Sequence, residues 1–395
     1  MPRTRPPTHT KPRTVAVITG SRAEFGLLRP VMDAIAANKH LRLRVIAAGS
    51  HMLPPARTIR EVEAAYTVAA RVPMQRAAHA TRADDATAVA RGIYCFTRVF
   101  AKLKPDWVVV LGDRTEAFAA ASAASIAGLA VCHIHGGDRA EGIADEAMRH
   151  AITKLAHLHC AATAQSASRI IRMGERPQHV HITGSPAIDG LRRIRPLAFD
   201  DWLWMDLPMA IFLLHPSGQG AAADTLAATS TLHAWERTVG GRSTLLLLEP
   251  NHDAGRGPIL KAMHTFAARS HCATLAAHMP RDRFVALLKR MREGTPMGML
   301  IGNSSAGLIE CAALGVPAVN IGPRQAGREQ GKNVVNVPTP SVGSVSRALF
   351  AAARLGRTLR PSSLFGTGRA GPRIAALLAS TDPHAVALLR KRNAY

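Results

Sequence analysis

The densest chemistry in this chain lies in "HIHGGDRAEGIADEAMRH", residues 133–150, with four acids, three histidines, two arginines and three glycines. Acids and imidazoles this close can divide into groups that hold a proton and groups that release one, as general acid–base work requires. A metal is the other use. In His133-x-His135 on a strand both rings point the same way, and Asp138 or Glu141 could add an oxygen. No cysteine or third spaced histidine completes that set, and Gly136-Gly137 follows at once, so we expect no metal. Asp145, Glu146 and Arg149 open a helix, where acids also suit the macrodipole.

Other candidates stand singly at the ends of apolar runs. "WVVVLGD" (107–113) delivers Asp113 to a strand end, as a base, a stabiliser of positive charge, or a helix cap. "TGSRAEFG" (19–26) places Arg22 just after a first strand, where it suits a diphosphate or simply a surface turn. That segment matches neither G-x-G-x-x-G nor the Walker pattern. "LIGNSSAGLIECAALGVP" (300–317) passes from an apolar run through Gly302-Asn303-Ser304-Ser305 into a helix-like stretch. Small polar residues there can cap the helix, or offer hydroxyl and N–H donors to a phosphate. His215 and Asn251 end two further runs, "MAIFLLHP" and "STLLLLEPN".

Elements able to position these residues alternate throughout. Strands are expected at 14–20, 41–49, 107–113 and 129–137, with helices between and after them, and a helix over 144–157 leads to further strand segments, "LHCAAT" (158–163) and "HVHITGS" (179–185). After a weak stretch near "PLAFDDWLWMDLP" (196–208) the alternation restarts at 209–216, 243–251, 273–280, 297–305 and 317–322. Such alternation predicts an α/β chain of two Rossmann-like doubly wound domains facing a cleft. We divide it into a disordered basic tail (1–13), a first domain (14–195), a second domain (205–365) and a C-terminal helix or tail (366–395).

Composition agrees with two domains. The chain has 395 residues, 47% of them apolar but only 4% aromatic, so cores must be built from Ala, Leu, Val and Ile. The net charge of +23 favours anionic partners, and basic residues crowd 1–13 and 341–395. Three tyrosines make a poor stacking platform, so nucleic acid is not the expected main partner. Five scattered cysteines without CxxC spacing suit a reducing, cytoplasmic setting. The nearly uncharged stretch 117–134 breaks at Gly128 into a helix and a strand, so no membrane span is expected.

Six segments, in order, resemble the hydrolysing UDP-N-acetylglucosamine 2-epimerases, the nucleotide-sugar 2-epimerases of sialic and legionaminic acid pathways. They are "TGSRAEFGLLRPVM", "VLGDRTEAFAAASAA", "HIHGGDRAEGIADEAMRHAITKLAHLH", "RMGE" with "TGSPAIDGL", "PNHDAG" and "IGNSSAGLIECAALGVPAVNIGPRQAGREQGKNV". The likeness covers roughly 14–336. It implies a GT-B-like fold, a UDP-sugar substrate, no cofactor, a dimer or tetramer, and release of UDP with a free 2-epimer through a glycal. By this resemblance Asp113, His135, Asp145 and Glu146 handle protons and charge. Ser304 and Ser305 hold the diphosphate with Arg22, His215 and Arg324, Asn251 lines the nucleotide pocket, and Glu310, one to two turns into its helix, takes the ribose hydroxyls. Relatives often carry Glu at the positions of His135 and Asp138, and the loop 50–58 departs from their usual pattern. The runner-up readings are a non-hydrolysing epimerase and a basic nucleic-acid-binding protein.

Overall fold

Runs of Val, Ile, Leu and Ala that can be covered on both faces become parallel strands. The computed structural model describes residues 11–54, 57–76, 81–139, 145–198, 209–240, 243–251, 255–294 and 297–394. Its first half runs β1 (Arg13–Thr19), α1 (Arg22–Ala36), β2 (Leu41–Ala48), α2 (Ile59–Ala65), β3 (Val68–Val72), α3 (Arg82–Leu103), β4 (Trp107–Leu111), α4 (Thr115–Ile126), β5 (Ala130–Ile134), α5 (Asp145–Leu155), β6 (Leu158–Ala161), α6 (Ala164–Arg172) and β7 (Val180–Ile182). The seven strands lie in the order β3-β2-β1-β4-β5-β6-β7, all parallel. Every residue of β4 and β5 is buried.

The second half repeats the plan. It runs β8 (Ala210–Leu213), α7 (Ala221–Val239), β9 (Leu245–Leu248), α8 (Gly257–Arg269), β10 (Ala273–Ala276), α9 (Arg281–Glu293), β11 (Met299–Gly302), α10 (Glu310–Leu314), β12 (Ala318–Ile321), β13 (Val334–Val337) and α11 (Val342–Gly356). Its sheet order is β10-β9-β8-β11-β12-β13. Both sheets therefore reverse direction beside their first strand, between β1 and β4 and between β8 and β11. In open parallel sheets such a switch point, at the carboxyl ends of the strands, is where ligands sit.

Helices α12 (Ala370–Ser380) and α13 (Val386–Leu389) return to the first sheet. Ala370, Ile374, Ala375 and Leu378 share a core with Leu28, Val31, Met32 and Ile35 of α1. The carboxylate of Asp189 caps α12, accepting from Ala370 N (2.9 Å) and Gly371 N (2.7 Å). The chain thus divides into unit 1 (the described residues up to Asp138, Ala147–Asp189 and those from Gly366) and unit 2 (Arg139–Glu146 and Gly190–Phe365).

Several expectations are corrected here. Arg13 is not tail: it opens β1, and its Nη1 donates to Leu378 O (3.0 Å), Ala379 O (2.6 Å) and Thr381 O (2.7 Å) at the end of α12. Residues 1–10, most of the weak stretch (199–208) and Glu141 lie outside the described residues. Two strands were not expected, β3 and β13, both at sheet edges. Among the described residues no helix is long and apolar enough to cross a membrane.

Candidate functional site

In unit 1 the site begins where β4 and β5 end. Asp113 lies two residues beyond β4, half-buried, and is not a helix cap. The position before α4 belongs to Arg114, and the Asp113 carboxylate pairs instead with Arg149 Nη2. Arg149 is 3% exposed, and its Nη1 donates to Asp138 O (3.0 Å). β5 stops at Ile134 because His135 takes a left-handed conformation, φ 63°. The two imidazoles therefore do not share one site. His133 faces Gly112 O (2.7 Å) and Thr153 Oγ1 (3.2 Å), and burial pushes its pKa down to about 3. His135 Nδ1 meets Asp138 Oδ2 at 2.8 Å, and its Nε2 meets Ser185 Oγ at 2.9 Å. Among the described residues no three His, Cys, Asp or Glu side chains gather as a metal would require. Glu146 is half-buried in the first turn of α5, while the side chain of Asp145 lies outside the described residues.

Arg22 is the first residue of α1, whose N-cap Ser21 accepts from Glu24 N. Burial lowers the Arg22 pKa, and the Glu61 carboxylate works against that shift. The arginine is thus a partly desolvated cation one turn from β1, suited to an anion.

Unit 2 assembles its expected residues around one amide. Asn303 Oδ1 accepts from His215 N (2.7 Å) and its Nδ2 donates to His215 O (2.8 Å), tying β11 to β8 across the switch point. Gly302 allows that approach, since a Cβ there would stand 2.0 Å from Leu213 O at a φ of 142°. Asn251 N donates to His215 Nδ1 (3.2 Å), so a neutral His215 carries its proton on Nε2. Gln325 Nε2 (2.7 Å) and Arg324 Nη1 (3.5 Å) both reach Asn303 O. His215, Asn251, Ser304 and Arg324 are thus brought together through Asn303.

The turn after β11 differs from the expected helix start. A 3₁₀ turn, Ser305–Gly307, intervenes, and α10 has five residues. Ser304 Oγ accepts from Ala306 N (3.4 Å), and the N–H groups of Gly307, Leu308 and Ile309 go to the carbonyls of Ser304 and Ser305. Little helix dipole is available here, so any phosphate-holding power rests on the half-buried serine hydroxyls. Glu310 is the first residue of α10, not one to two turns in, and is 7% exposed.

Residues 33–379 match the profile of a family described as UDP-N-acetylglucosamine 2-epimerase. The chain belongs to that family. It is 30% identical over 390 residues to a UDP-N,N'-diacetylbacillosamine 2-epimerase (hydrolyzing) of Legionella pneumophila, covering 97% of this chain and 100% of the relative. It is also 30% identical over 335 residues to a UDP-N-acetylglucosamine 2-epimerase of Neisseria meningitidis, covering 82% of this chain and 83% of the relative. The crystal structure of a Neisseria meningitidis UDP-GlcNAc 2-epimerase bound to UDP-GlcNAc shares its fold, with TM-score 0.78 at 16% identity over 93% of this chain and all of that one. The two α/β units are thus those of the GT-B-like family fold.

Within this family chain, sequence reasoning missed the buried residues beneath the site. Glu116 accepts from Gln75 Nε2 (2.8 Å), Ser50 N (3.3 Å), Arg114 Nε (3.3 Å) and Thr115 Oγ1 (3.2 Å). It fills the space a Cβ would need at Gly49, whose φ is 54°. Glu24 accepts from Gly20 N (2.6 Å). Burial pushes Glu24 up to about 8. Burial also pushes Glu116 up, but Arg114 and Gln75 outweigh it and hold that carboxyl below its ordinary range. His51, in the unusual 50–58 loop, bridges Thr19 Oγ1 (2.9 Å) and Thr58 Oγ1 (2.8 Å), and burial lowers it to about 4. The glutamate of "RMGE", Glu175, meets His159, Lys154 and Lys391. Burial would raise its pKa, but these partners bring it to about 2. Lys391 also donates to Lys154 O (2.7 Å), fastening the C-terminal end of α5. Only the short motif around Glu175 gave any sign of this cluster.

Proposed function

We propose that this chain hydrolyses a UDP-linked 2-acetamido sugar, releasing UDP and the free 2-epimer through a glycal. The observation that carries the reading is the joined acid–base set of Asp113, Arg149, Asp138 and His135 at the ends of β4 and β5. Family membership and the hydrolyzing Legionella relative support it.

The bond to be broken dictates the order of events. C2–H has no adjacent carbonyl and is not acidic. Departure of UDP must run ahead and place positive charge on C1 and the ring oxygen. A carboxylate facing that charge stabilises it. We assign this role to Asp113, whose carboxylate is paired with Arg149. His135 and the acids opening α5, Asp145 and Glu146, are then the proton-handling groups for removal of H2 and its return from the other face. Water adds at C1. The phosphate contacts fall to Arg22, Ser304, Ser305, His215 and Arg324, and Glu310 takes the ribose diol with its two acceptor oxygens.

Incubation with UDP-GlcNAc and with UDP-N,N'-diacetylbacillosamine in deuterated water tests the reading. Release of UDP with a free sugar deuterated at C2 is expected from one of them. An intact UDP-linked epimer would mean the non-hydrolysing reaction, and UDP release without C2 deuterium a simple hydrolase.

A further inference from the structure

We propose that Asp138 and Ser185 are positioning residues that make His135 a reversible proton store, a role that rests on the function proposed above. The geometry begins with the carboxylate. Asp138 is held from three sides: Ser166 Oγ donates to Oδ1 (2.7 Å), Arg149 Nη1 donates to its carbonyl, and Arg169 Nη1 donates to the neighbouring Gly137 O (3.1 Å). Its second oxygen, Oδ2, faces His135 Nδ1 at 2.8 Å. An ionised carboxylate only accepts, so Nδ1 must carry a proton. Nε2 of the neutral ring is then the basic nitrogen. It faces the hydroxyl of Ser185 at 2.9 Å, so the hydroxyl donates to it. The arrangement is self-consistent, because Ser185 Oγ accepts from Ala187 N (3.1 Å) on its other side.

The device can change state without moving heavy atoms. When His135 gains a proton at Nε2, the Ser185 hydroxyl rotates and accepts instead of donating. The charge on the ring is met by Asp138, which stays ionised. When the proton leaves, the hydroxyl turns back. Balance is kept: as H2 leaves C2 a proton enters at Nε2, and once the sugar has gone it departs to solvent, while the proton that C2 regains comes from the acids opening α5.

Two further observations fit. His135 adopts a left-handed backbone, which costs an imidazole-bearing residue energy and persists only where the surroundings over-determine it. His135, Asp138, Ser166 and Ser185 are all buried, so bulk water does not scramble the tautomer. Among the described residues, charged and titratable groups around the ring's network include Asp138 on its own turn, Arg149 and, through it, Asp113 at the end of β4, Arg169 on α6, and His133 behind the strand. Both arginines donate to turn carbonyls, and His133 is held neutral by burial.

The test is Asp138→Asn in the full-length protein, followed by nitrogen-15 spectra of the histidine rings, with the His135 signal assigned by its loss in His135→Gln. Wild type should show the Nδ1–H tautomer. In the variant the side-chain amide can donate to Nδ1, moving the proton to Nε2. Turnover should then fall about a hundredfold while KM for the UDP-sugar stays within about threefold, as for loss of a group acting in the transition state. Asp138→Glu should recover part of the rate. Should Asp138→Asn fail to fold, Ser185→Ala gives the second reading: kcat down about tenfold with the pH profile shifted. An Nε2–H tautomer in wild type, an unchanged tautomer in Asp138→Asn, or full activity with an unmoved pH profile in Ser185→Ala would overturn the proposal. A wild-type protein that shows the Nδ1–H tautomer but turns over no UDP-linked sugar would support the proton arrangement while sinking the function assigned to it.

Discussion

The two switch points of this chain are built alike and furnished differently. In unit 1 the strand ends around β1, β4 and β5 carry ionisable groups bound to one another: Asp113 with Arg149, Asp138 with His135, Glu116 with Arg114. In unit 2 the ends of β8 and β11 carry one imidazole, His215, among amides and hydroxyls, and Asn303 bonds main chain rather than charge. The difference separates two tasks. Reversible proton transfer needs groups whose charge can change, held where neighbours set that charge. Gripping a phosphate needs donors that stay as they are across the working pH range.

The sharpest way to break this contrast is acid. In unit 1 burial lowers the pKa of His133 to about 3 and of His51 and His157 to about 4, and lowers His159, His179 and His181 as well. Below pH 6.5 the unfolded chain binds protons that the folded unit refuses, so stability falls with pH by about 1.4 kcal/mol per unit for each fully buried histidine. Glu24 acts the other way, keeping its proton to about 8 while the unfolded carboxyl has lost it, so one group weakens the unit between pH 4.5 and 8. Calorimetry from pH 7 to 4 should therefore show unit 1 melting first and ever earlier, with unit 2 lagging. Coincident transitions at every pH would erase the distinction.

Next in size is Asp113→Asn, which should lower turnover by about a hundredfold or more while UDP affinity by titration calorimetry stays near wild type. A rate left intact would leave the Arg149 pair purely structural. Asn303→Ala, on the other side of the comparison, removes two bonds to His215 and should cost about 2 kcal/mol of stability, read as a shift of the denaturation midpoint. It should also weaken UDP binding. The smallest effect is expected from Ser304→Ala with Ser305→Ala: KM should rise about tenfold and exceed any loss in kcat.

How legible these regions were in the amino-acid sequence follows from the same contrast. Parallel strands buried on both faces announce themselves, and β4 and β5 were plain from "WVVVL" and "AVCHI". Edge strands do not. β3 alternates exposed and half-buried residues before ending on buried Val72, and β13 reads Val-Val-Asn-Val just after a polar loop. Asp113 stood out as an acid at a strand end, but its partner Arg149 lies 36 positions on, at a spacing no local pattern encodes. Nothing in their local sequence singles out Glu24 and Glu116, and only folding reveals them as buried. Glu310 was placed too deep in its helix because three residues that suit an α-helix start instead made a 3₁₀ turn.

The return of α12 to unit 1 has a consequence for synthesis. A chain leaving the ribosome makes β1 to β7 first, then Gly190–Phe365 of unit 2, and only then the residues from Gly366 that complete the first core. Until they arrive, Leu28, Val31, Met32 and Ile35 of α1 lack part of their cover, and α5 lacks the lysine that fastens its far end. Unit 1 thus begins to form before unit 2 and is completed after it, with an apolar helix face partly uncovered in between.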